Sequence, residues 1–413
     1  MLPLPDIIKD LTSLANDVID DNFDRVSCAY SVWVLMFAVL AATTSVYDKP
    51  LQCYHKLDHP GNWVQGLDNI CYANGTYAIP DFEKFFKAFS ESATFDYQDN
   101  ENTLKLIHEY NGFSINYYQW IPYALLFQSF CFFIPKICWN IIINSMSFDI
   151  RSMLKKVKEM NEIGAKITDV QGDGVIAHIY NFLEYSMDST FFSKRKCRNS
   201  MLGVGQILVK FLYIINAYGQ FYFINAFVGN GNHLWGLEYL RDIFLLYPNR
   251  PQKYFPYNAI CNTGHFKQTY ISNINIQCVL SMNMINSYIY LFLYFWLLFV
   301  FVLSLYSFMK ALLYFFNPLV RRNKLIEWLK NNYSIKGLNK YNMVFTRDII
   351  KHDGFILFFL MKHNSGKRVT FSILNKIWEA SYEQFNNNDE TIKRGSTIKK
   401  EAKIIKCKNT GKY

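Results

Sequence analysis

Between Met284 and Met309 the chain reads MINSYIYLFLYFWLLFVFVLSLYSFM, without one charged side chain. Continued to Leu313 as a helix, this stretch is about 45 Å long at 1.5 Å per residue. No soluble core surrounds a helix of that length with apolar partners on every side. A bilayer does, because its hydrocarbon layer takes about 20 such residues. Three further stretches fit the same requirement: 29–47 (AYSVWVLMFAVLAATTSVY), 117–143 and 203–229 (GVGQILVKFLYIINAYGQFYFINAFVG). The third carries Lys210, Asn216, Gln220 and Asn225. Lys210 lies in its first third, where it can snorkel to the near interface; the polar groups can equally face neighbouring helices or water. Four buried helices of a large soluble protein are the alternative, and the length of 284–313 argues against them.

Composition agrees. The chain is 51% hydrophobic and only 18% charged, against about 25% for soluble domains, and its polar and apolar residues are segregated in blocks. The start, MLPLPDIIKD, lacks the basic and compact apolar parts of a cleavable signal, so the first span is expected to target the chain. Basic residues fix the orientation. Arg151, Lys155, Lys156 and Lys158 follow span two; Lys194, Arg195, Lys196 and Arg198 precede span three; Lys310, Arg321, Arg322 and Lys324 close span four. Those flanks are expected in the cytoplasm, and with four spans so are both termini. Arg25, among Asp17, Asp20, Asp21 and Asp24, says nothing either way.

Two loops, 48–116 and 230–283, then face outside. Each holds two of the nine cysteines: Cys53 and Cys71, Cys261 and Cys278. An oxidising compartment lets them pair, with three connectivities open. A zinc site at Cys53, His55, His59 and Cys71 is the competing reading; it is disfavoured because the loop shows no helical pattern and disulfides already account for the cysteines. Asn74-Gly75-Thr76 is an N-glycosylation sequon on the same side.

Residues 5–24 show helical periodicity, with Asp6, Asp10, Asp17, Asp20, Asp21 and Asp24 on one side and Ile7, Ile8, Leu11, Leu14, Ala15 and Val18 on the other. A helix lying on anionic lipid carries lysines on its polar face. This one carries aspartates, so it is expected to pack on the spans with its carboxylates toward an aqueous space. At the mouth of span two stands Asn116-Tyr117-Tyr118-Gln119-Trp120-Ile121-Pro122. Tyr and Trp settle where apolar rings meet wet headgroups, which predicts an interfacial belt at Tyr117, Tyr118 and Trp120. Pro122 and Pro135 are tolerable kinks in a span.

The motif YYQWIP, with Tyr117, Tyr118, Gln119, Trp120 and Pro122, resembles the signature of innexins, the gap-junction proteins of invertebrates, in nematode-like form. DNFDRVSCAYSVWVLMFAVLAATTSVYDKPLQCY resembles the family's entry into span one and its first outer cysteine. NICYANGTYAIP resembles the second cysteine and its Gly-Thr-Tyr turn. YFPYNAIC, IQCVLSMNMINSYIYLFLYFWL and HDGFILFFLMKHNSG continue the likeness through the second loop, span four and the tail, covering roughly residues 1–380. Tyr54, Asp48-Lys49 and Ser281 depart from the family's frequent tryptophan, glycine and proline.

The resemblance implies an all-α membrane protein with four transmembrane helices, two disulfide-bonded extracellular loops and a mostly helical cytoplasmic domain. It implies the pairs Cys53–Cys278 and Cys71–Cys261. It places 1–28 as a pore-mouth helix with Asp6 and Asp10 as pore-lining candidates. The remaining segments are a cytoplasmic loop at 144–202, a cytoplasmic helical domain at 314–384 with Trp328, Phe355, Phe358, Phe359 and Trp378 for its core, and a disordered basic tail at 385–413.

The implied function is a wide channel for ions and small metabolites between adjacent cells, at plasma-membrane gap junctions. Its partners are homo- or hetero-oligomeric rings of roughly eight subunits, a docked ring on the apposed cell, and membrane lipids, with no nucleic acid. An undocked hemichannel, favoured if Asn74 carries a glycan, and a non-conducting adhesion or scaffold protein are the alternatives. An enzyme is not expected: there is no P-loop, H-E-x-x-H or G-x-S-x-G, and no cofactor or metal site is assigned.

Overall fold

The computed structural model describes residues 17, 19–47, 51–54, 61–79, 84–85, 87, 107, 109–110, 112–115, 117–146, 148–163, 170–188, 201–229, 231–245, 254–267, 270–329 and 339–383. Asp6, Asp10, His55, His59 and the tail from 385 lie outside them.

Helix α1 begins as Asn22–Arg25, passes through a π-helical turn at Val26–Tyr30 and continues as Ser31–Tyr47. Its start has a local cause. Asp21 Oδ1 accepts the Asp24 N–H at 2.9 Å, which caps the first turn. The periodicity of 5–24 therefore does not run into the span as one helix: residues 19–21 are non-helical.

The second apolar stretch is a 3-10 turn, Tyr117–Gln119, followed by α3 (Ile121–Cys131) and α4 (Ile134–Asn144). The interruption follows from Pro135, which has no N–H for the carbonyl four residues back and crowds it. The chain responds with a tighter turn, Phe133 N–H to Phe130 O at 3.0 Å. α7 (Met201–Phe227) and α9 (Ser281–Phe316) are continuous. Four helical stretches among the described residues are long and apolar enough to cross a bilayer.

The chain divides into two compact units: Val26–Pro135 with Tyr213–Leu305, and Met1–Arg25 with Lys136–Leu212 and Tyr306–Tyr413. The first contains a five-stranded antiparallel sheet in the order β1-β5-β4-β2-β3. Its strands are β1 (Gln52–Cys53), β2 (Thr76–Ala78), β3 (Phe113–Ile115), β4 (Asn258–Lys267) and β5 (Tyr270–Val279). Both loops thus contribute to one sheet. α2 (Gly61–Asn74) precedes β2, and α8 (Trp235–Phe244) opens the second loop. α2 corrects the expectation of a loop without helix. Its buried positions, Leu67 and Cys71, are one helical turn apart, but Gly61 and Gly66 weaken the pattern. Gly75, at φ +85°, turns the chain from α2 into β2, a conformation that costs any other L-residue strain.

The second unit contains α5 (Ile150–Ile163), α6 (Val170–Asp188), α10 (Pro318–Leu329), α11 (Asn339–Val344), a π-helical turn at Phe345–Ile350, α12 (Lys351–Asn364) and a helix over 367–383. Trp328, Phe355, Phe358, Phe359 and Trp378 are all buried there. Trp328 stacks on Phe355 with ring centroids 5.7 Å apart, nearly parallel. Tyr341 donates to Ser381 Oγ at 2.8 Å, so the polar atom of this aromatic core has a partner.

Candidate functional site

Two sites stand out, one in each unit. In the first, Cys53 and Cys278 are directly opposed on β1 and β5 and form a disulfide. Cys71 of α2 forms the second with Cys261 of β4. Three of the four sulfurs, those of Cys53, Cys71 and Cys278, lie within 4.8 Å of one another. Cys53 and Cys71 are thereby in different disulfides and have no thiolate for a metal, which removes the zinc alternative. A further link ties the loops, the Tyr54 N–H donating to Gln277 O at 2.9 Å, while within the first loop the Cys53 N–H donates to Asp68 Oδ1 at 3.2 Å. Asn74, the sequon residue, is exposed at the end of α2.

The signature motif is the joint of this unit. Gln119 Nε2 donates to the carbonyls of Tyr72 and Ala73, and Tyr118 Oη donates to Tyr72 O at 3.4 Å. Those are last-turn carbonyls of α2, which lack helical partners. Tyr117 Oη donates to Tyr254 O at 3.4 Å and accepts from Asn283 Nδ2 at 3.4 Å, while Asn283 also donates to Pro256 O at 2.9 Å. The three side chains Tyr117, Tyr118 and Gln119 thus join α2, the entry to β4 and the start of α9. The expected belt is corrected accordingly. Tyr118 is fully buried and cannot meet headgroups, whereas Trp120 is 63% exposed and can. Pro122 sits in the first turn of α3, where its missing N–H costs nothing.

The second site is a buried ion network that the sequence pattern did not single out. Lys210 of α7 is 3% exposed. Its ammonium donates to Asp21 Oδ2 at 2.7 Å and to Asp24 Oδ1 at 2.6 Å. Lys136 of α4, equally buried, donates to Asp20 Oδ2 and lies 3.7 Å from Asp17. Arg25 donates to Asp17 O at 3.0 Å and to Asn364 Oδ1, and Trp139 Nε1 to Ile19 O at 3.5 Å. Lys210 does not snorkel. Asp20, Asp21 and Asp24 do not face an aqueous space: they are buried, and the ammonium groups of Lys136 and Lys210 offset the cost of taking their charge out of water. Burial pushes the Asp21 carboxyl up, but Lys210's charge and hydrogen bond outweigh it and hold it below its usual value. Burial raises Asp20, against the pull of Lys136. The signal available in sequence was the pairing of intramembrane lysines with an acidic run before span one.

Asp353 of α12 caps α7 from a distance. Its Oδ1 accepts the Gly203 N–H at 3.1 Å, with Leu202 and Met201 N–H groups also pointing at it. The preceding Lys351 has φ 51° and ψ −150°, a strained backbone that presents His352 and Asp353 together. Burial pushes the Asp353 carboxyl up to about 6, opposed by those three N–H groups. The folded chain therefore holds this proton more tightly than the unfolded chain. The stabilisation is full below the unfolded value of 3.8 and is lost as pH rises through about 6. Asp353→Asn keeps the acceptor oxygen and removes the titration. We expect wild type to lose thermal stability relative to this variant between about pH 4 and 7, by on the order of 3 kcal/mol. Melting curves in detergent across that range check it; parallel profiles would refute it.

The comparisons with known proteins follow this geometry. The sequence model of the family described as Innexin matches residues 20–381. Innexin-3 of Caenorhabditis elegans is 25% identical over 383 residues, covering 89% of this chain and 85% of the relative. Innexin eat-5 of the same organism is 24% identical over 444 aligned positions, covering 97% and 98%. Innexin unc-9 is 22% identical over 386 residues, covering 89% and 93%. The family match takes in the four spans, both disulfides, the Tyr-Tyr-Gln joint and the Asp20–Asp24 network: the chain belongs to the innexin family and is a gap-junction channel subunit.

Proposed function

We propose that the chain assembles with copies or relatives into a ring of roughly eight subunits, oriented with both termini and the helical unit in the cytoplasm. The sheet built from both loops then faces the extracellular space and meets a ring on the apposed cell. The observation that carries this reading is the closure of four thiols into two loop-to-loop disulfides, one between β1 and β5 and one from α2 to β4. Such bonds persist in an oxidising compartment, and the lysine and arginine flanks independently favour the same sidedness. A surface fixed before contact loses little conformational entropy on docking.

Within the ring, the segment ahead of the buried Asp20–Asp24 network lines the pore mouth, where Asp6 and Asp10 repeat around the axis and favour cations. Neutralising both (Asp6→Asn with Asp10→Asn) is expected to shift the reversal potential in a salt gradient away from cation selectivity. An unchanged reversal potential removes them from the permeation path.

A hemichannel open to the outside is the second reading, and the exposure of Asn74 in the sequon favours it. Dye transfer between paired expressing cells, compared with dye uptake by single cells, separates the two. Transfer restored by Asn74→Gln, with uptake lost, assigns the glycan as the barrier to docking.

A further inference from the structure

The last turns of α9, the start of α10 and the start of α12 enclose a cleft lined by Lys310, Tyr314, Phe315, Arg321, His352 and Phe359. Lys310 is the one charged residue of α9. Among the described residues no carboxylate lies at ion-pair distance from its ammonium, and the charge of Asp21 acts on it only from farther off. The ammonium rests instead on three aromatic faces, 5.0 Å from the Phe359 centroid, 5.3 Å from Phe23 and 6.0 Å from Tyr314. Arg321 has no carboxylate either, among the described residues. The two N–H bonds of its Nη1 are shared among the carbonyls of Tyr314 and Phe315, at 2.6 and 2.7 Å, and His352 Nδ1 at 2.5 Å.

Guanidinium is always protonated, so Nδ1 must accept and the imidazole proton sits on Nε2. Burial and the Arg321 charge push the His352 ring down to about 4, so it stays neutral and keeps Nε2–H as a donor. Phe315 packs on the His352 ring at 4.8 Å and holds it. Around the cleft the excess is positive. Asp21 also lines it but is committed to Lys210 at 2.7 Å. Beyond it, Lys362 sits over the Trp328 ring at 4.7 Å, and Lys324 pairs with Glu327 at 2.8 Å.

We propose that this cleft binds a phosphate group, with Lys310, Arg321 and His352 Nε2 as its donors. Fixed donors arriving from three elements suit a tetrahedral oxyanion, which accepts from several directions at once. Cation–π and carbonyl contacts hold Lys310 and Arg321 in place without neutralising them, so their charge is left for a ligand. The phosphate of an anionic phospholipid and free phosphate share this chemistry. An exposed apolar stripe beside the cleft, Met309, Leu313 and Phe316, follows helical spacing along α9 and offers a track for acyl chains. The inference is independent of docking between cells.

The test uses the full chain in detergent, with native mass spectrometry reading the half-saturating concentration of dioleoyl phosphatidic acid. Dioleoylglycerol, with the same chains and no phosphate, is the control, and inorganic phosphate is the competitor. Wild type is expected to retain phosphatidic acid and not dioleoylglycerol. Lys310→Met keeps the side-chain length and the aromatic packing, and His352→Phe keeps the ring against Phe315. Each should weaken retention roughly tenfold, as loss of one charge-assisted or buried hydrogen bond does. Competition by millimolar inorganic phosphate assigns the site to the free anion; retention despite it assigns the lipid. Equal retention of the two lipids by wild type, or unaltered retention in both variants, overturns the proposal.

Discussion

Lys210→Met should leave the protein unable to form a stable oligomer. Lys210 is the shared cation of two buried carboxylates, Asp21 and Asp24. Methionine fills nearly the same volume, so packing changes little and the electrostatic loss is isolated. Removing one partner from a buried pair costs about 3–5 kcal/mol, because the remaining charge is stranded away from water. Two stranded carboxylates put the cost at the upper end of that range. Domains hold only about 5–15 kcal/mol in reserve.

The site makes the loss structural as well. Asp21 caps α1 and Lys210 belongs to α7, so the same contact fixes where span one starts and which face of α7 meets it. The expected result is a shift of a fluorescent fusion from the oligomer peak to aggregate in size-exclusion chromatography. Asp21→Asn and Asp24→Asn added to Lys210→Met remove the stranded charge and should restore most of the peak. A monodisperse Lys210→Met oligomer melting within a few degrees of wild type would show that the network contributes nothing.

What could be read in the sequence was what depends on local pattern. The spans declare themselves because each is a contiguous apolar run, and the 284–313 stretch needs no partner to be recognised. The four loop cysteines are conspicuous by type, although their pairing came from the family likeness and not from spacing. What stayed hidden depends on residues far apart in the chain. Asp20 meets Lys136 across 116 positions and Asp21 meets Lys210 across 189, so the acidic run read as a solvated face. The cap on α7 comes from Asp353, 150 positions away. The sheet was invisible for a related reason. β1 is two residues long, and β2 and β3 are three each, too short to show alternation. β1 and β2 take their strand character from pairing with the longer β5 and β4, β3 takes its own from β2, and a disulfide adds only to β1. Tyr118 was misplaced because an aromatic beside a span has two uses, belt or joint, and only its hydrogen bond to Tyr72 O decides between them.

Removing the Cys53–Cys278 disulfide should weaken coupling between cells more than removing Cys71–Cys261, and removing half of Cys53–Cys278 should be worse than removing all of it. The two bonds close 225 and 190 residues of chain. In solution, loops of that size imply about 5 kcal/mol each by the chain-entropy account. Here the intervening chain is already threaded through the bilayer, which keeps the loops on one face even before they fold. The unfolded reference is therefore restricted, and about 2–4 kcal/mol per bond is the better expectation.

The bonds also differ in what backs them up. α2 is held by Gln119 and Tyr118 as well as by Cys71–Cys261. β1 has only two rungs on β5, so Cys53→Ser with Cys278→Ser should free the first loop more completely. On the docking role proposed for the sheet, a mobile loop must be ordered at contact, and junctional conductance should fall at least about tenfold at equal surface level. Single substitutions add a chemical fault. Cys278→Ser frees the Cys53 thiol, and the Cys71 sulfur of the other bond was within 4.8 Å of it. A thiolate at that range attacks the disulfide and exchanges partners, giving Cys53–Cys71 and a free Cys261. Cys278→Ser alone should therefore show scrambled loop disulfides by peptide mapping and less surface protein than the Cys53→Ser, Cys278→Ser pair. Dual voltage clamp with surface biotinylation measures both effects. Coupling that survives the paired substitution at unchanged surface level would mean that the sheet alone holds the docking face.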